Sequence, residues 1–300
     1  MVDIVTHAGI GLVLGAPFLV SAPEAALGLI FGSVLPDLDA FSRIFGKRAF
    51  LACHQTWSHS LPVIALISLF ASVLAALAGW SWFHLGIALA VGMTLHSLLD
   101  LTNTYGITLW LPLKRQRQCL EWLFFIDLGT IVLTVAALLW IAQGMTLDGG
   151  VSWLPTTSWC GAMIGWILLR GWLRRRALRL APAGTVALIP SAWLPWRFYG
   201  TVEEDGSVRL ITVDLRRQRL TDDVRVPVHD AQVQDLLREI PEVVIMRGLS
   251  PAYHVVEVTT TGAEQVIRCR DLRVRNFTSL FGACDITRRD GRTTRIDFHA

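Results

Sequence analysis

The chain has 300 residues, of which 53% are hydrophobic and 17% charged, with a net charge of +3 and a mean hydropathy of +0.48. A soluble domain carries roughly 25% charged residues, and the shortfall lies almost wholly before Leu173, so a membrane half joined to a soluble half is expected. The weak charge balance, without a basic stripe of interleaved aromatics, argues against a nucleic-acid binder, and five scattered cysteines with no CxxC argue against a disulfide framework or a Cys-based zinc site.

The first residues include Asp3 and His7 in place of a basic leader, which reads as mature structure and not a signal peptide. Two short apolar runs follow, 8–20 and 25–35, interrupted by Pro17, Ser21 and Pro23. At about 1.5 Å per residue neither crosses a bilayer comfortably, so tilted spans or a re-entrant pair are expected. Their glycines, among them Gly28 and Gly32, suit close helix packing in lipid. Three runs, 61–80, 83–101 and 122–141, are long enough to cross roughly 30 Å of hydrocarbon. A fourth, 157–173, ends against Arg174, Arg175, Arg176 and Arg179, which read as a topology anchor.

The basic segments around Arg43, Lys47 and Arg48, around Lys114, Arg115 and Arg117, and after Leu173 all fall on one side of this arrangement, and the opposite connections carry no Lys or Arg. The charge rule makes that side cytoplasmic. The expected organisation is mainly α: a polytopic helical membrane domain over 1–180, a Pro/Trp linker over 181–199, and a C-terminal β-rich soluble domain over 200–300. Asp205-Gly206, Thr261-Gly262 and Asp290-Gly291 mark hairpins in that domain, and 229–240 reads as one short helix.

The chemistry is carried by ionisable groups inside or beside apolar runs, where they are costly and functional by default. They are His7, Asp37, Asp39, His54, His59, His96, Asp100 and Asp127, and with the two short runs going out and back all eight reach the cytoplasmic side. Such a set needs a cation between its members, and imidazole with carboxylate suits zinc, manganese or iron. His96 and Asp100 are spaced i, i+4 on one helix face, continued by Asn103 and Thr104 in a polar stripe that ends at Gly106. His54 and His59 flank a loop-to-helix turn. The plainer readings are a capped Pro-Asp turn for Asp37 and Asp39, a helix-dipole partner for Asp127, an interfacial histidine for His84, and surface histidines for His229, His254 and His299.

Thr6-His7, Leu35-Pro36-Asp37-Leu38-Asp39, His54-Gln55-Thr56-Trp57-Ser58-His59-Ser60, His96-xxx-Asp100 with Asn103-Thr104-Tyr105-Gly106, and Asp127 together resemble the motif series of the YdjM-like family. That family comprises bacterial membrane-bound proteins described as metal-dependent hydrolases, some of the LexA-regulated inner-membrane type. The resemblance covers roughly residues 1–140, and Gln55 stands where a basic residue is expected. The motif layout is similar to that of zinc-dependent phospholipase C and related nucleases. It implies one to three divalent ions, zinc first, and hydrolysis of a phosphoester at an inner-membrane site near lipid headgroups. His7, Asp37, His54, His59, His96, Asp100 and Asp127 are the expected ligands, and Asp39 with Asn103 the expected catalytic groups, Asp39 handling the water. The rival expectation is a metal-ion or proton-coupled transporter. A conducting path would place polar groups in both bilayer halves, whereas the outer stretches 64–79 and 131–141 carry only small hydroxyls.

Overall fold

The computed structural model describes residues 4–145, 150–276 and 281–299; Asp3 and part of the 143–156 connection lie outside them. The chain forms two compact units, Met1–Ser42 with Cys53–Gly171, and Arg43–Ala52 with Trp172–Ala300.

The first unit is helical: α1 (Ile4–Gly15), α2 (Pro23–Gly32), α4 (Leu61–Leu77), α5 (Trp82–Leu101), α6 (Leu128–Gly144) and the apolar part of α7 (Trp153–Leu180). By length and hydropathy α5 is a full candidate span, and up to three spans result if each of two bent helix pairs counts as one. α1 and α6 are shorter apolar helices. Their packing shows why this region is glycine-rich. A Cβ on Gly32 would lie 2.6 Å from the Leu89 carbonyl, and one on Gly28 2.7 Å from the Leu85 carbonyl, so α2 and α5 approach backbone to backbone. Ile10 and Val13 of α1, Ala137 and Ile141 of α6, and Trp159 and Met163 of α7 form a separate apolar core.

The third expected span begins later than the apolar run suggests. Residues 122–127 are not helical; Trp122 and Leu123 donate their backbone N–H to Thr102, and α6 starts only where Asp127 accepts the Thr130 N–H. α7, in turn, does not stop at Leu173 but continues through the arginine run to Leu180.

The second unit holds two four-stranded antiparallel sheets, each a simple meander. The first contains β1 (Thr185–Pro190), β2 (Arg197–Glu204), β3 (Ser207–Asp214) and β4 (Arg219–Pro227). The second contains β5 (Tyr253–Thr261), β6 (Glu264–Asp271), β7 (Cys284–Arg289) and β8 (Arg292–Phe298). The three Gly-containing hairpin signals each coincide with a turn. The 181–199 segment is not a linker. It supplies β1 and the first residues of β2, and its Leu188 and Phe198 are buried against Leu173 and Ala177 at the end of α7. The 229–240 helix is in fact a 3-10 turn (Asp230–Gln232) and a short α8 (Gln234–Glu239), followed by α9 (Pro241–Leu249). His254 is not a free surface residue either, since its Nδ1 lies 3.1 Å from Asp230, which also pairs with Arg247 at 2.9 Å.

The basic segment before the first long apolar run belongs to this unit. It forms α3 (Lys47–Cys53), where Arg48 meets the largely buried Glu242 at 2.5 Å and Lys47 donates to the Phe298 carbonyl. Two residues that signal topology in the sequence therefore also fasten a helix to the β domain.

Candidate metal centre

Four side chains from three parts of the helical unit converge. Asp37 comes from a 3-10 stretch, Leu35–Phe45; His59 from a second, Trp57–His59; His96 and Asp100 from successive turns of α5. None is more than 1% exposed. One ligand atom from each lies within 4.8 Å of all the others. His59 Nε2 is 3.1 Å from His96 Nε2, 3.3 Å from Asp100 Oδ2 and 3.9 Å from Asp37 Oδ1. His96 Nε2 is 3.6 Å from Asp37 Oδ1 and 3.9 Å from Asp100 Oδ2. Metal bonds of roughly 2.0–2.2 Å place neighbouring tetrahedral ligand atoms about 3.3–3.6 Å apart. These five distances are within a few tenths of an ångström of that spacing.

The protons decide what these atoms are. His96 Nδ1 lies 2.8 Å from the Ser33 carbonyl, which can only accept, so Nδ1 carries the hydrogen and Nε2 a bare lone pair. Ser58 Oγ donates to Asp39 at 2.5 Å and so accepts from His59 Nδ1 at 2.9 Å, which leaves His59 Nε2 bare as well. Both oxygens of Asp37 are buried without a hydrogen-bond partner among the described residues. With both imidazoles neutral, four acceptors thus face one another. Burial without compensation is costly for polar groups and more so for charges, and a cation resolves it. A buried Asp/His/His/Asp group of this kind can bind a divalent metal.

Further residues support the quartet. The His7 ring stacks on His96 at 3.7 Å between centroids, its Nε2 is 3.4 Å from Asp100 Oδ1, and its buried Nδ1 has no hydrogen-bond partner among the described residues. Gln55, which the sequence marks only as a departure from the family pattern, donates from Nε2 to Asp100 at 2.8 Å and from its backbone to Asp39 at 3.0 Å. Its φ of 58° turns the chain between the two histidines. Arg117 donates to the backbone carbonyls of both His54 and Gly106, joining the histidine loop to the end of the polar stripe. Burial lowers the Arg117 pKa to about 10 against the opposing pull of Asp39. The contacts that Gln55, Ser58 and Arg117 make are not legible in the sequence, because they depend on which backbone segments meet.

Three expected roles change. Asp39 does not face the quartet with Asp37: one oxygen lies 2.5 Å from His54 Nδ1, and the other accepts from Ser58 and the Gln55 N–H. With those lone pairs engaged it orients imidazoles and is a poor candidate to take a proton from water. Asn103 uses its Oδ1 to accept from the N–H groups of Tyr105 and Gly106, shaping the turn. Asp127, expected as a ligand, caps α6, accepts from Trp166 Nε1 at 2.8 Å and lies 3.5 Å from the buried Arg170 guanidinium. Its helix-start reading holds and is extended by this pair. Breaking a buried ion pair by removing one partner costs about 3–5 kcal/mol. Asp127→Asn is therefore expected to lower the melting temperature with metal content unchanged, as read by thermal unfolding beside elemental analysis.

The YdjM inner membrane protein family matches residues 1–178, which is more than half of the chain and contains every residue of the quartet. The chain belongs to this family. YdjM membership supports an inner-membrane location and is consistent with a metal-dependent hydrolase. The chain is also 22% identical to YfhP of Bacillus subtilis (strain 168), described as uncharacterized, over 91% of this chain and 87% of that protein. That likeness extends past the YdjM match into the β domain. No solved structure matches.

Proposed function

We propose that this YdjM-family chain is a divalent-metal-dependent hydrolase of the inner membrane that cleaves a phosphoester in a lipid or lipid-like substrate at the cytoplasmic face. The observation that carries the reading is the buried convergence of one ligand atom each from Asp37, His59, His96 and Asp100, all within 4.8 Å of one another. Asp37, His59, His96 and Asp100 hold the ion, with zinc the first choice for this donor set, and His7 supplies a further nitrogen. When bound, such an ion lowers the pKa of a water towards ~7 and polarises a phosphoryl oxygen.

The protein's own groups then divide the work. Ser33 and Ser58 fix the ring orientation of His96 and His59, as outer partners of metal-binding imidazoles do. Asp39 accepts from His54 Nδ1 and so sets the tautomer in which His54 Nε2 is basic, the relation a carboxylate has to a general-base imidazole. His54, at the less buried margin of the site, is the group that receives the proton. A largely apolar cavity of about 500 Å³ lies along α5 between His84 and Leu95, with Leu29, Ile87, Ala88 and Val91 in its lining, and suits a hydrocarbon chain. The three basic segments on one side support a multi-pass arrangement with the C-terminal domain in the cytoplasm.

The test is hydrolysis of phospholipid and isoprenoid phosphate by metal-loaded protein in liposomes, since a headgroup-level site can ignore water-soluble esters. Release of phosphate or headgroup is expected. Fully metal-loaded protein that cleaves no phosphoester, amide or carboxyl ester, but carries metal ions into vesicles, would make it the transporter.

A further inference from the structure

The β domain presents a second, unrelated constellation. The turn between β1 and β2 and the turn between β3 and β4 lie at the same end of the first sheet, because Arg197 pairs with Asp214 and Asp214 with Arg219. Between them is a cavity of about 410 Å³ lined by Leu194, Trp196, Arg197, Asp214, Arg216 and Arg217. Three arginines against one aspartate leave it positively charged. Asp214 is occupied in shaping it: Oδ1 accepts from the N–H groups of Arg216 and Arg217, and Oδ2 is 3.8 Å from Arg197. The Arg216 guanidinium lies over the Trp196 ring at 4.7 Å. Stacking uses the face of a guanidinium and not the N–H edge that grips phosphate. Arg197 Nε has no hydrogen-bond partner among the described residues, and its side chain is 38% exposed, so the guanidinium is open to an acceptor from outside the protein.

Where this pocket sits follows from packing within the same unit. Leu215 and Leu220, which flank the Arg216-Arg217 turn, pack on the cluster of Ala177, Phe198 and Val213 that also receives Leu173. Leu173 is bracketed on α7 by the exposed Trp172 and by Arg174, and the Arg176 guanidinium lies 5.0 Å over the Trp172 ring. Tryptophan with arginine at the end of an apolar helix is the pattern of a membrane interface. The pocket is therefore held beside residues of interfacial character and carries the same pairing, Trp196 with Arg216.

We propose that this pocket binds the phosphate headgroup of an anionic membrane lipid and so docks the β domain to the bilayer surface. Basic groups near a surface draw anionic lipid, and a bidentate arginine fork adds selectivity for phosphate. Leu194 and Trp196 supply the apolar wall that a lipid has and a free phosphate lacks.

The experiment uses the full chain in mild detergent, with native mass spectrometry of retained phosphatidylglycerol against phosphatidylcholine. Wild type should retain the anionic lipid in preference, and R216Q/R217Q should lower that preference roughly 10- to 30-fold at an unchanged melting temperature, because both side chains are exposed. R216K, which keeps charge but loses the fork and the stack, should fall in between. The proposal is overturned if R216Q/R217Q binds as wild type does. It is equally overturned if the loss appears in R174Q/R175Q instead, or if millimolar inorganic phosphate displaces the lipid completely.

Discussion

Replacing His96 and Asp100 together by alanine is expected to abolish metal retention and to make the protein's melting temperature insensitive to chelator. In the wild type, Nε2 of His59 and His96 and oxygens of Asp37 and Asp100 crowd within 4.8 Å. An ion that binds the folded state at a thousandfold above its dissociation constant stabilises it by about 4 kcal/mol. For a protein of this size that amounts to a loss of roughly 10 °C when a chelator strips the ion. The metal-free wild type keeps mutually repelling acceptors, whereas the double variant has lost two of them. The sign is therefore distinctive: without metal, the variant should unfold at or above the temperature of the stripped wild type. A buried pair held only by hydrogen bonds predicts the reverse, a variant less stable under every condition. Thermal unfolding with and without chelator, run beside elemental analysis, separates the two.

Asp39→Asn is expected to keep most of the metal while hydrolysis of a membrane-soluble phosphoester falls by roughly 10²-fold or more, within the range for disabling the general base that Asp39 orients, His54. Asp39 is not among the four converging ligands, yet it touches His54 at 2.5 Å and lies 3.6 Å from His59 Nδ1. An amide there still accepts hydrogen bonds but no longer stabilises a charged imidazole. His54→Ala should lose as much activity, and the double variant little more, because residues acting as one unit are not additive. A full loss of metal in Asp39→Asn would make Asp39 a ligand. Additive losses would dissolve the proposed Asp39–His54 unit.

Much of this site is written in the sequence. The i, i+4 spacing of His96 and Asp100 needs only a helix to bring both onto one face. Asp37 and Asp39 are harder, because two residues apart in a 3-10 stretch they cannot face the same way, and the sequence does not say which turns inward. Asp127 illustrates the limit more sharply. Its partners Trp166 and Arg170 lie some forty residues away on α7, and within its own stretch it looks like another buried acid at a membrane surface. In the β domain, Gly-containing turns announce three hairpins, but β1 is masked by the prolines and tryptophans that flank it. Its burial against α7 is a tertiary fact that alternation alone does not carry.

The account's central claim is that histidine nitrogens and carboxylate oxygens of the helical unit bind a divalent ion. X-ray absorption at the metal edge of the purified full chain tests it most directly. The predicted result is one or more zinc-like ions per chain with two or three imidazoles and carboxylate oxygen at roughly 2.0–2.2 Å and no sulfur, the imidazole signal falling in His96→Ala. A sulfur shell near 2.3 Å from the cysteines, or a protein that holds no metal at all after metal-replete preparation, would contradict it.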